Sequence, residues 1–154
     1  MFHVLLFQPE IPPNTGTIIR LCAATKTRLH LIGPLGFRLD GAAVRRAGMD
    51  YRELADVQRW ADWSAYRAKN GDNSRTFAIS THGKQSYTKP DFRPGDRFLF
   101  GSETKGLPEE LLQSHSERII RIPMAAPARS LNLAVGASVV LYEALRQNGF
   151  ADLG

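Results

Sequence analysis

Phe98-Leu99-Phe100-Gly101-Ser102-Glu103-Thr104-Lys105-Gly106-Leu107-Pro108 is the stretch on which the reading of this chain turns. Arg97–Phe100 is a short apolar run of strand character. Pro108 stands at the first turn of a short helix over Leu107–His115, and Glu109 and Glu110 follow it at the positive end of the helix dipole. A strand that passes through a glycine-bracketed loop into a helix is the repeating unit of α/β architecture. Gly101 and Gly106 have the spacing of a phosphate-binding P-loop, but Leu107 and Pro108 occupy the positions that must be Lys and Ser or Thr. Nucleoside triphosphate hydrolysis is therefore excluded, and the two glycines serve a turn or a close backbone approach.

The same alternation runs outward in both directions. Phe2–Phe7 reads as a strand buried on both faces. Pro12-Pro13 ends it, and Asn14 caps a helix running to Ala24. Arg28–Ile32 is a strand, Gly33–Gly36 a turn and Leu39–Ala47 a short basic helix. Tyr51–Val57 is a strand, and Asp62 caps a helix to Lys69. Thr76–Ser80 and Arg118–Ile122 are further strands. Leu131–Gln147 is the longest helix, with Leu133, Ala137, Val140, Leu141 and Ala144 at helical spacing. The pattern predicts an α/β fold, a mostly parallel sheet with helices on both faces, in one domain over residues 1–154.

Lys and Arg number 20 against 15 Asp and Glu, for a net charge of +5, and most of the basic residues are Arg. Such a surface suits a polyanion, since the guanidinium fork grips phosphate. Cys22 is the single cysteine, so no internal disulfide forms; its apolar neighbours make it a buried hydrophobe. His3, His30, His82 and His115 form no metal-ligand spacing, and no metal is expected. No G-x-G-x-x-G or G-x-S-x-G occurs, which argues against dinucleotide binding and esterase chemistry. No apolar stretch reaches the ~20 residues of a membrane span. Met1–Phe7 reads as a strand rather than a leader, and a cytoplasmic protein is expected.

Three segments each follow a strand, where open α/β sheets bind ligands. They are Pro9–Arg20, containing Asn14-Thr15-Gly16 and Arg20; Phe98–Pro108; and Ile122-Pro123-Met124 leading through Arg129-Ser130-Leu131-Asn132-Leu133. In this order they resemble the three motifs of the SPOUT methyltransferases, and the likeness covers Phe2 to about Gly149. It is strongest to the small members acting on the wobble nucleotide of tRNA. The resemblance implies a C-terminal trefoil knot, S-adenosyl-L-methionine (SAM) as cofactor, a homodimer and no membrane. It implies cofactor contacts at Ile79, Gly101, Ile122 and Ser130, with Leu131 and Met124 in the same cleft.

The implied reaction is methylation of a ribose 2′-oxygen at position 34, a cytidine or modified uridine, in the anticodon loop of a leucine-type tRNA. Arg20 interrupts an apolar helical run, and a buried or cleft-facing Arg needs a partner; by resemblance it is the catalytic residue. Asn14 holds the ribose. Arg129, Lys105, Arg45 and Arg46 meet RNA phosphates. Glu103 offsets cationic charge or binds the amino-acid part of SAM. Ser130 and Asn132 also suit the start of the last helix. The rival readings are a non-catalytic RNA-binding protein of the same fold and a 2′-O-methyltransferase acting on another RNA.

Overall fold

The computed structural model describes residues 1–46, 56–72, 74–151 and 153–154. Its elements in chain order are β1 (His3–Phe7), α1 (Pro12–Ala24), β2 (Arg28–Ile32), α2 (Gly41–Arg46), β3 (Val57–Trp60), α3 (Trp63–Asn70), β4 (Thr76–Ile79), β5 (Gln85–Ser86), β6 (Arg97–Phe100), α4 (Glu109–Ser114), β7 (Ile119–Arg121) and α5 (Leu133–Gln147). The strands form one seven-stranded sheet in the order β3-β2-β1-β6-β4-β7-β5. Every pairing is parallel, including β1 with β6 in the register Leu6↔Phe100.

Successive side chains of a strand leave opposite faces, so each apolar strand feeds two cores. Val4 and Leu6 of β1, with Phe98 and Phe100 of β6, pack on one face beneath Ile18, Ile19 and Cys22 of α1 and Ala137, Val140 and Leu141 of α5. Leu5 and Leu99 point the other way, against Tyr66 of α3 and Leu111 and Leu112 of α4. Cys22 is buried, and desolvation pushes its thiol up to about 12.

Several boundaries differ from expectation. Asn14 is not the cap of α1. The helix starts at Pro12, with Ile11 at the N-cap and no side-chain cap bond. Pro12 and Pro13 have no N–H to satisfy, so the helix can begin on them and Asn14 falls inside its first turn. The last helix begins at Leu133, not Leu131, because Asn132 caps it by accepting from the Ala134 and Val135 N–H groups at 2.9 and 3.2 Å. Asp62 caps α3 as expected, through the Ala65 N–H at 2.8 Å. The strand expected over Tyr51–Val57 is observed at Val57–Trp60; Tyr51–Ala55, and Ala47 of the expected α2, lie outside the described residues. The two-residue β5 has no apolar pattern and escaped the reading.

A polar network lies under the edge of β1 and β2. The Trp60 indole N–H donates to His30 Nδ1 at 3.1 Å, so the neutral His30 ring carries its proton on Nε2 and donates it to His3 Nδ1 at 3.0 Å. Burial, aided by Arg97 and Arg28, pushes His3 down to about 4. Burial and the neighbouring His3 and Arg97 push His30 down to about 3. Unfolded histidine protonates near pH 6.5. Below that pH the unfolded chain binds protons that the folded chain refuses, so this pair's stabilisation is complete above about pH 6.5 and declines as pH falls toward 4. Urea unfolding from pH 7.5 to 4.5 should show this decline, and a His3→Asn/His30→Gln variant should flatten it. Identical pH slopes in the two proteins would contradict the buried neutral pair.

Candidate active site

The loops after β1, β4, β6 and β7 and the start of α5 enclose a cleft of about 670 Å³. It opens at the carboxyl ends of parallel strands, beside the point where the chain order reverses between β1 and β6.

Ile79 ends β4, Gly101 directly follows β6, and Ile122 and Met124 follow β7. All four line the cleft together with Asn14, Lys105, Arg129, Ser130 and Leu131. Nine expected residues, eight from the three segments and Ile79 from the end of β4, are thus brought to one place. Phe100, Leu107, Leu112 and Leu133 extend the apolar wall. Ser80, Thr81 and His82, which follow β4, line it too and were not foreseen. Their signal was available, since they stand at a strand's carboxyl end as the other segments do.

Three expected residues lie elsewhere. Arg20 is exposed on α1 and does not line the cleft, so the expectation of a buried or cleft-facing Arg is corrected. It stands six residues beyond Asn14, about 9 Å along the helix and on another face. Arg45 and Arg46 are exposed at the end of α2, also outside the cleft.

The β6–α4 loop is folded tightly on itself. Gly106, at φ +65°, donates its N–H to the Ser102 carbonyl at 2.9 Å. A Cβ built on Gly101 would lie 2.0 Å from the Gly106 carbonyl carbon and 2.3 Å from the Leu107 nitrogen. Both neighbours are backbone, so Gly101 admits no side chain without opening the loop.

Glu103 does something the sequence did not suggest. Its carboxylate accepts the Glu10 N–H at 2.8 Å and the Ile11 N–H at 3.0 Å, at the start of α1. It also accepts from the Asn14 amide at 3.4 Å. Glu10 returns the contact: its carboxylate accepts the Thr104 hydroxyl at 2.7 and 3.0 Å, and hydrogen bonds from Thr104 and Ser102 lower its pKa. Glu103 lines the cleft and is at the same time engaged by α1. Asn14 in turn accepts from Asn132 Nδ2 at 2.9 Å. One polar chain joins the three sequence segments.

The donor set fits SAM. Apolar walls suit an adenine, loop backbone beside Gly101 and Gly106 suits its hydrogen-bonding edge, and the volume lies within the ~300–1,000 Å³ of small-molecule sites. Arg129 and Lys105 are exposed, where an anionic substrate would approach. Among the described residues, no group of three or more His, Cys, Asp and Glu could hold a metal ion, and no helix is long and apolar enough to cross a membrane.

Known proteins share this architecture end to end. A Burkholderia ambifaria protein named tRNA (cytidine(34)-2′-O)-methyltransferase is 52% identical over 152 residues, covering 97% of each chain. A solved structure from work on the 2-OH methylation of C/U34 on tRNA matches with a TM-score of 0.89 and 44% identity over 97% of each chain. The SpoU methyltransferase AviRb of Streptomyces viridochromogenes, solved with its cofactor AdoMet, matches with a TM-score of 0.76 and 30% identity, over 95% of this chain and 60% of that one. The model of the SpoU rRNA Methylase family matches residues 1–142. With that span and these likenesses, the chain belongs to the SpoU rRNA Methylase family.

Proposed function

We propose that the chain transfers a methyl group from SAM to the ribose 2′-oxygen of nucleotide 34, the wobble cytidine, of tRNA. One observation carries this reading: the three segments close on one cleft in a chain half identical, along its whole length, to a tRNA (cytidine(34)-2′-O)-methyltransferase.

SAM supplies an activated methyl on a sulfonium. The protein's work is then to bind, orient and manage one proton. Ile79, Ile122, Leu131 and Met124 hold the cofactor, with Ser130 and the backbone at Gly101. Asn14 holds the ribose. The 2′-oxygen gains the methyl and gives its proton to solvent or to a neighbouring RNA phosphate. Arg20, whose charged guanidinium cannot itself accept the proton, orients that phosphate and steadies the developing alkoxide. Arg129 and Lys105 take further phosphates, with Arg45 and Arg46 at the periphery.

Arg20 lies outside the cleft of its own chain, so it serves the cleft of a second copy. Ile11, just before α1, and Val135 and Tyr142 on α5 are exposed at 42%, 50% and 47%, which gives a homodimer apolar surface to cover.

The deciding assay for the substrate uses purified protein, labelled SAM and a leucine-type tRNA carrying a single 2′-deoxy nucleotide at position 34. Transfer should vanish on the deoxy tRNA; transfer that persists moves the target to another atom or nucleotide. Gly101→Ala should weaken SAM binding by about tenfold or more, because the loop must open to admit the methyl; calorimetry with unchanged affinity would remove Gly101 from the site. Arg20→Ala should lower kcat by at least about 100-fold with SAM affinity preserved. Mixing Arg20→Ala with Gly101→Ala subunits should restore activity in the one composite site that retains both residues. No recovery in exchanged heterodimers would place Arg20 in service of its own subunit.

A further inference from the structure

We propose that Glu103 and Asn132 are positioning residues for methyl transfer: from opposite sides they lock the side-chain amide of Asn14 in one orientation toward the substrate ribose. The inference rests on the functional reading above, and it assigns roles to two residues outside the cofactor and phosphate contacts.

An asparagine amide can be turned by half a rotation at almost no cost in shape, exchanging a donor for an acceptor. At Asn14 that exchange is forbidden by a chain of hydrogen bonds with fixed polarity. The Ala134 and Val135 N–H groups can only donate, so they fix the Asn132 side-chain oxygen against α5 and leave its NH2 facing outward. That NH2 donates to Asn14 Oδ1 at 2.9 Å. Asn14 Nδ2 therefore faces the other way and donates to Glu103 Oε1 at 3.4 Å. At that end the Glu10 and Ile11 N–H groups, again donors only, hold the carboxylate in place. A flipped Asn14 would set oxygen against carboxylate and NH2 against NH2.

The ends of this chain are backbone at the starts of two helices, and its middle is the one residue that meets the ribose. These bonds use one of the two Asn14 N–H groups and one of its two oxygen lone pairs. The second donor and second lone pair are left over on an amide that lines the cleft. A ribose hydroxyl both donates and accepts, so an amide of defined polarity can orient it as a disordered amide cannot. Asn132 stands in the segment that carries Ser130 and Leu131. Order in the cofactor segment is thereby transmitted to the substrate side of the cleft.

A double-mutant cycle reads this directly. Glu103→Gln keeps the shape but puts an NH2 where the chain needs an acceptor. Asn132→Asp keeps the α5 cap and removes the donor to Asn14. Each should lower kcat at saturating SAM and tRNA by about 10- to 100-fold, the scale of a misplaced reactant. SAM affinity by calorimetry should stay within about twofold, since neither residue is asked to bind the cofactor. In an Asn14→Ala background neither substitution should cost further kcat, because its effect runs through Asn14. Independent, additive losses, or near-normal kcat in both single variants, would overturn the inference. If Glu103→Gln fails to fold, the Asn132→Asp arm decides alone, since it retains the bonds to α5. A wild-type protein that transfers no methyl to tRNA overturns the functional reading and this inference with it; a wild-type protein that transfers, with additive losses, overturns this inference only.

Discussion

The exchange of carboxylates between the β1–α1 and β6–α4 loops is the contact on which the site depends. Glu103 reaches across to two backbone N–H groups at the start of α1, and Glu10 reaches back to Thr104. Charge-assisted bonds of this kind are stronger than neutral ones, and they act here at the positive end of a helix. Loops separated by more than ninety residues meet because β1 and β6 are neighbours in the middle of the sheet. The strands run parallel, so both loops emerge at the same end. Topology sets the loops side by side, and the acid exchange then fixes their spacing.

The cleft follows from that spacing. Gly101 lies beneath the loop that carries Glu103, with a backbone passage so close that a single methyl would force it open. Asn14 lies on the first turn of the helix that Glu103 holds, and Asn132 ties that turn to α5. The apolar wall of the cleft and Asn14 share one frame.

Much of this was legible in the sequence. The apolar strands and the helical spacing of Leu133 to Ala144 led to the right architecture, and nine of the residues in the cleft came from the family resemblance that the three strand-terminal segments carry. What was missed had physical causes. Asn14 looked like a cap by residue type, but Pro12 and Pro13, which have no N–H to leave unpaired, can themselves form the first turn, so the helix starts before Asn14. The role of Glu103 depends on partners more than ninety residues away, and local spacing cannot show them. Arg20 attracted attention as a charge in an apolar run, yet it occupies the exposed side of α1, and periodicity alone did not reveal which side that was. Gln85-Ser86 forms a strand only because the β7 edge offers a partner.

A second cavity, of about 460 Å³, shows why concavity alone does not identify a site. It lies by the amino end of β4, between α3 and the end of α4, and has aromatic and charged walls. Several of its polar groups partner one another: Arg67 grips Asp72 through two bonds of 2.7 and 2.6 Å, Ser74 meets Thr76, and Ser114 meets His115. A group already satisfied by its neighbour must break that bond before it can serve a ligand, and the cost falls on binding. The cleft at the carboxyl ends is built the other way. Its internal bonds hold Asn14 in place from both sides, and they use only part of the hydrogen-bonding capacity of an amide that lines the cleft.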